Sequence, residues 1–322
     1  MTFERETALA TAREPVPRSG LPRAQPRVWL GTTLLVRRLL PDRLAVRRAE
    51  LRGHVLWEQS PTERERALAA MTAIVAGTAR ADEVESLARQ YLIEDKVKET
   101  FFWQPWVAPA LEAGSRARLE QAVASGRGVV FSFCHMGPYL LGVSTLAKLG
   151  YMVFSVSGPW VFETPCAGYW GRRVARRRAE ARARRERLIV SVGSFELLRA
   201  LLEEGELVSV YFSVPGGRST RFLGKPVMLA TGTSRLAVET GALVVPLRVR
   251  RERHRLWLDV GEALDPRDFA GADPLHESLA EIHERWMLEL PASAEDPNRQ
   301  GSWEQSATAE GWVRRAPEPV VG

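Results

Sequence analysis

The sequence predicts an α/β fold, with a mixed, largely parallel central sheet flanked by helices and an N-terminal helical region, on three observations. From Gly128 onward, short apolar runs alternate with amphipathic segments of helix length, the alternation of βαβ units. Gly150, Gly205 and Gly241 each close one of those segments, where a left-handed residue ends a helix. Before Gly128 the apolar residues recur every three or four positions, with no run that reads as a strand.

The elements follow in order. Met1–Arg27 carries four prolines, mixed charge and no apolar stretch of signal-peptide type, and is expected to be largely disordered. Residues 28–114 are expected to be the helical region. Val28–Val36 is apolar but far shorter than the ~20 residues of a spanning helix. With Leu39, Leu40, Leu44 and Val46 among Arg43, Arg47 and Arg48 it reads as basic amphipathic helix broken at Pro41, packed on the protein's own core or lying on an anionic membrane. Pro61–Leu92 repeats Leu68, Met71, Ile74, Val75 and then Val84, Leu87, Ala88, Tyr91 at helical spacing.

Residues 115–290 are expected to be the α/β domain. A helix Ser115–Ala124 leads to a strand Gly128–Cys134, a helix Pro138–Leu149 and a strand Tyr151–Ser157. An arginine-rich helix Gly171–Arg187, a strand Leu188–Val192, a helix Phe195–Glu204 and a strand Glu206–Phe212 come next. A loop Ser213–Ser219 precedes a strand Thr220–Leu223, a helix Ser234–Thr240, strands Ala242–Arg250 and Arg255–Gly261, and a helix Ser278–Leu290. Residues 291–322 read as a loosely held tail, and there is no internal repeat.

Charge is focused. The chain of 322 residues carries 45 basic and 39 acidic side chains, a net charge of +6, yet Arg172–Arg187 alone holds nine arginines and two glutamates. The remainder is close to neutral, which excludes a generally basic nucleic-acid binder. An alanine seam, Ala175, Ala179 and Ala183, lets this helix lie on the sheet. Its arginine faces are then simply solvated, or attract an acidic carrier protein, coenzyme A phosphates or an anionic bilayer. Cys134 and Cys166 have no partners at metal-ligand spacing, so neither a metal site nor a disulfide framework is expected, and the chain reads as cytoplasmic.

Ligands of open α/β sheets bind beyond the carboxyl ends of strands. His135 stands there, after GVVFSFC and before Gly137-Pro138, where a helix start could stabilise an anion beside a general base. Acyl transfer uses that pairing, a base for the nucleophile and donors for the oxyanion. Cys134 is adjacent, but consecutive strand residues face opposite ways, against a Cys134-His135 dyad. Cys166, in ETPCAGYW, has no identified base.

The segment SGRGVVFSFCHMGPYLLG, with LLRALLEEGELVSVYF and FLGKPVMLATGTSRLAVETGALVVPL, resembles the lysophospholipid acyltransferase superfamily. The nearest branch is that of lipid A late acyltransferases and phosphatidylinositol mannoside acyltransferases. The resemblance spans Ala124–Leu264 and includes Phe222, Leu223, Gly224, Gly232, Leu236, Ala237, Thr240, Gly241, Ala242 and Pro246. It implies transfer of an acyl group from an acyl-coenzyme A or acyl-carrier-protein thioester to a hydroxyl or amine, with His135 as base and no cofactor. Gly137, Tyr139, Ser213, Gly216, Gly217 and Arg218 are the implied substrate-binding residues, Arg218 matching an arginine that contacts phosphate. The sequence departs from the family at both acids: Leu140 stands five residues after His135, and Ser213 at the strand-end loop. Glu163, Glu196 and Asp95 are candidates to reach His135 through the fold. Hydrolysis or cyclisation of a carrier-bound intermediate, and a non-catalytic partner subunit, stand as the alternatives. An inner-face peripheral membrane position is compatible with any of these.

Overall fold

The computed structural model describes residues 4–14, 41–102, 107–163 and 186–297. The amphipathic stretch Val28–Leu40, the cysteine Cys166 and the arginine helix up to residue 185 lie outside these residues.

Val129–Phe133 (β1) is buried at every position, as a parallel strand covered on both faces must be. Parallel neighbours flank it, Leu207–Tyr211 (β4) and Leu243–Glu252 (β7), with Phe133 opposite Tyr211 and Leu247. Beyond β4 lie Val153–Ser157 (β2) and Glu186–Val190 (β3), also parallel. Arg255–Val260 (β8) closes the other edge antiparallel to β7, giving the order β3-β2-β4-β1-β7-β8. β3 begins at Glu186, so the last two residues assigned to the arginine helix belong to a strand.

Side-chain alternation gives the sheet two apolar faces. Val130, Cys134, Val208, Val210 and Val244 belong to one core, which also takes Phe195–Glu203 (α8), Gly232–Thr240 (α9) and Ala272–Glu289 (α10). Val129, Phe131, Phe133, Val245 and Leu247 belong to the other, closed by Ala113–Ala124 (α5) and Leu140–Lys148 (α6). A short helix, Trp160–Glu163 (α7), follows β2.

The N-terminal helices are Arg5–Arg13 (α1), Asp42–Gln59 (α2), Pro61–Val75 (α3) and Val84–Phe102 (α4). α2 begins directly after Pro41, where the sequence placed a break. Ser60 caps α3, its hydroxyl accepting from the Glu63 N–H. Gly53 lets α2 cross α4 closely, since a Cβ there would sit 2.5 Å from the Ile93 Cα.

Two expected boundaries change. Ser213–Ser219 is not wholly a loop: Pro215–Phe222 (β5) pairs with Lys225–Leu229 (β6), a strand the sequence reading missed, in a separate antiparallel hairpin. Its register slips between Pro215 and Arg218, so Gly216 and Gly217 form a bulge. Alternation is weak along KPVML, which is why β6 did not read as a strand. The described part of the expected tail is also held in place. Pro291–Ser293 turns the chain back, and Ala294 bridges Met136 beside β1.

Candidate active site

His135 and Ser213 meet because β1 and β4 are in register. Phe133 lies opposite Tyr211, so two residues further on His135 lies opposite Ser213. The Ser213 Oγ accepts from the His135 backbone N–H at 3.0 Å and is 3.0 Å from Nδ1 of the same residue. Ser213 is buried and His135 half-buried. Nε2 of His135 makes no hydrogen bond among the described residues.

Two tyrosines frame the imidazole. Tyr211 stacks on it with centroids 4.4 Å apart, and Tyr139 meets it edge-on at 4.9 Å. Burial pushes the His135 pKa down to about 4; Glu295 opposes that shift and Lys98 adds to it. The ring is therefore neutral at physiological pH.

The loop after β1 has steric reasons for its sequence. Gly137 is left-handed, at φ +57°, and a Cβ on it would lie 2.2 Å from the Val249 carbonyl oxygen, a position for glycine alone. Helix α6 starts at Leu140, two residues later than expected. Two of its first-turn N–H groups are already engaged, Leu141 donating to the Pro138 carbonyl and Gly142 to that of Tyr139, both at 2.9 Å.

Of the sequence-predicted residues, His135, Gly137, Tyr139 and Ser213 come together. Arg218 is directed instead to α10, pairing with Asp273 at 2.5 Å and Glu277 at 3.1 Å. Gly216 has a packing reason, since a Cβ there would sit 2.3 Å from Ala230 backbone atoms, whereas Gly217 faces open space. Cys134 is fully buried on the opposite face from His135, and burial holds its thiol far above the usual range.

Among the candidate acids, Asp95 is held by Arg66, Lys96 and Lys98 at 3.4–3.7 Å. Glu196 pairs with Arg199 on the solvent side of α8. The Glu163 side chain is outside the described residues.

Glu295, Lys98 and Tyr211 were missed. The Tyr139 hydroxyl donates to Glu295 Oε2 at 3.1 Å, and Lys98 Nζ lies 4.0 Å from Oε1. Nothing in the local pattern of SAEDP marks Glu295, whereas Tyr211 could have been found from its register opposite Phe133. Among the described residues no cluster of metal-ligating side chains occurs.

No protein-family model matches the chain, and no curated protein does. Among solved structures it is similar to the 1-acyl-sn-glycerophosphate (LPA) acyltransferase PlsC from Thermotoga maritima. Identity is 16%, the TM-score is 0.39, and the match covers 64% of this chain and 83% of that one. At that score no residue role transfers.

Proposed function

We propose that the protein moves an acyl group from a thioester, on coenzyme A or an acyl carrier protein, to a hydroxyl or amine acceptor, with His135 as general base. The observation that carries this reading is the His135 imidazole at the carboxyl end of the central strand, anchored through Nδ1 by Ser213 with Nε2 unengaged. The motif resemblance supports it independently.

In the reaction the acceptor attacks the thioester carbonyl while its proton passes to Nε2. The tetrahedral oxyanion that forms calls for a hydrogen-bond donor beside it. Collapse breaks the carbon–sulfur bond, and the imidazolium returns the proton to the leaving thiolate. Ester or amide and free thiol are the products.

The two missing acids favour a second reading, in which water or a group of the same intermediate is the acceptor and the products are those of hydrolysis or cyclisation. The test is thiol release from acyl-coenzyme A and acyl-carrier-protein donors, with and without acceptors, followed by mass spectrometry. Acceptor-dependent release that disappears in His135→Ala is the expected result. A product without a transferred acyl group selects the second reading, and turnover indifferent to His135→Ala overturns both.

A peripheral position on an anionic bilayer belongs to the same proposal. No helix among the described residues is long and apolar enough to cross a membrane. Leu44, Leu51 and Val55 are about half exposed on one face of α2, at 54%, 58% and 48%. Exposed Arg43, Arg47, Arg48 and Arg52 flank them, the pattern of a helix that inserts shallowly among acidic headgroups.

A further inference from the structure

After α10 the chain turns back over the loop that follows β1. The Gly137 N–H donates to the Ser293 carbonyl at 2.7 Å, and the Glu295 N–H donates to the His135 carbonyl at 2.7 Å. This short pairing fixes the Glu295 backbone against the residue that carries the imidazole. Its side chain is only 17% exposed and lies between Tyr139, on one oxygen, and Lys98, on the other.

We propose that Glu295 is the positioning residue that supplies at His135 the negative charge absent from Leu140 and Ser213, delivered from the far end of the domain and fixed through Tyr139. The proposal rests on the acyl-transfer reading of His135. A hydroxyl at Nδ1 can orient a ring but carries no charge to balance an imidazolium, and that ion forms here in a half-buried place.

The groups facing the ring come from five segments. Cys134 precedes it, just past the end of β1, with its thiol protonated. Ser213 follows β4, and Tyr211 ends that strand. Tyr139 lies just before α6, Lys98 comes from α4, and Glu295 comes from the segment after α10. Lys98 disfavours a second positive charge, and Glu295 opposes it. Asp95 is engaged by Arg66, Lys96 and Lys98, and among the described residues Glu295 is the carboxylate whose charge acts on the imidazole. As the acceptor proton reaches Nε2, Glu295 and the Tyr139 hydroxyl dipole lower the cost of the resulting cation. No proton moves to Glu295.

The test compares Glu295→Gln, Tyr139→Phe and Lys98→Met with wild type and His135→Ala in the full chain. It uses the pH–rate profile of thiol release and NMR titration of the His135 ring. Glu295→Gln keeps the backbone N–H and side-chain shape, and circular dichroism verifies its fold. The expected result is a roughly tenfold fall in kcat with little change in KM, the size of a one-unit change in proton affinity. The His135 titration moves to lower pH in Glu295→Gln and to higher pH in Lys98→Met. A purely structural role would not produce opposite shifts. Unchanged titration and kcat in Glu295→Gln, while His135→Ala is inactive, overturn the role of Glu295 and leave the acyl-transfer reading standing. Full turnover in His135→Ala removes that reading and this role together.

Discussion

Ser213 has one proton, and where it points decides what His135 can do. The Ser213 oxygen already accepts from the His135 backbone N–H, and burial keeps the neighbouring Cys134 thiol protonated. The base role proposed for Nε2 requires the 3.0 Å contact to be Nδ1–H donating to Oγ, which leaves the Nε2 lone pair for a substrate proton. The 15N shifts of neutral His135 are therefore expected to show the Nδ1–H tautomer; an Nε2–H tautomer would remove the ring as a base at Nε2. Desolvation pushes the pKa of the half-buried base down to about 4, so activity should be flat through neutral pH and fall as the ring is protonated below that value. Ser213→Asp places a carboxylate at the same contact, raising the pKa by about one to three units. The acid limb should then move to higher pH and plateau turnover should rise, both read from kcat/KM against pH. The pairing itself was half legible, since both residues were named from the sequence and the β1–β4 register supplied the rest. Glu295 was not legible, because its role depends on a chain reversal after α10 that no periodicity records.

At the scale of elements, α10 was read as Ser278–Leu290 from its apolar spacing but starts at Ala272. The missed turns include His276, which an apolar count ignores although it is fully buried. His276 and His283, seven residues apart on one face, each lie 5.1 Å from the Phe212 ring. Their Nε2 atoms contact Thr220 Oγ1 at 2.8 Å and Ser132 Oγ at 3.0 Å. Burial holds both neutral, pushing the pKa of His276 down to about 4 and that of His283 to about 3. Because these values lie below the ~6.5 of an unfolded histidine, the unfolded chain binds more protons than the folded one between them. Stability is thus full above pH 6.5 and is lost as pH falls towards 3. Thermal melts should show Tm dropping across that window, and His283→Gln should flatten the drop; an unchanged slope would place the acid sensitivity elsewhere. Helix α2 makes a separate prediction. Sedimentation with phosphatidylglycerol vesicles should exceed that with phosphatidylcholine vesicles and weaken at high salt. Replacing Leu44, Leu51 and Val55 together by serine should abolish it, and retention of binding by that variant would assign attachment to another surface.

Over the whole molecule, the parallel strands were legible because burial on both faces writes them as continuous apolar runs, VVFSF in β1 and LVVPL in β7. How the helical region docks was not, since that depends on charged side chains reaching across layers. Arg251 on β7 is the clearest case. Its side chain is only 11% exposed, pairing with Glu50 of α2 at 2.8 Å and with Glu94 of α4. Arg251 also lines a cavity of about 10 Å³, room for a single water-sized group, with Asp95, Lys98, Pro138 and Ser293. The same layer that Arg251 holds down carries Lys98 to Glu295, so the helical region forms one wall of the site. Arg251→Met keeps the apolar stem but leaves Glu94 and Glu50 without their shared cation, and breaking such a partly buried pair costs about 2–3 kcal/mol. Urea denaturation should show that loss as a lower midpoint. Adding Glu94→Gln to Arg251→Met should recover part of it, because the stranded charge and not the missing contact is the larger penalty. If α4 shifts away from the turn at Pro138, the distance from Lys98 to Glu295 changes too, and the His135 titration should move in Arg251→Met although Arg251 does not touch the ring. A variant that loses stability with the titration unmoved would show that the clamp holds the helices without setting the electrostatics of the site.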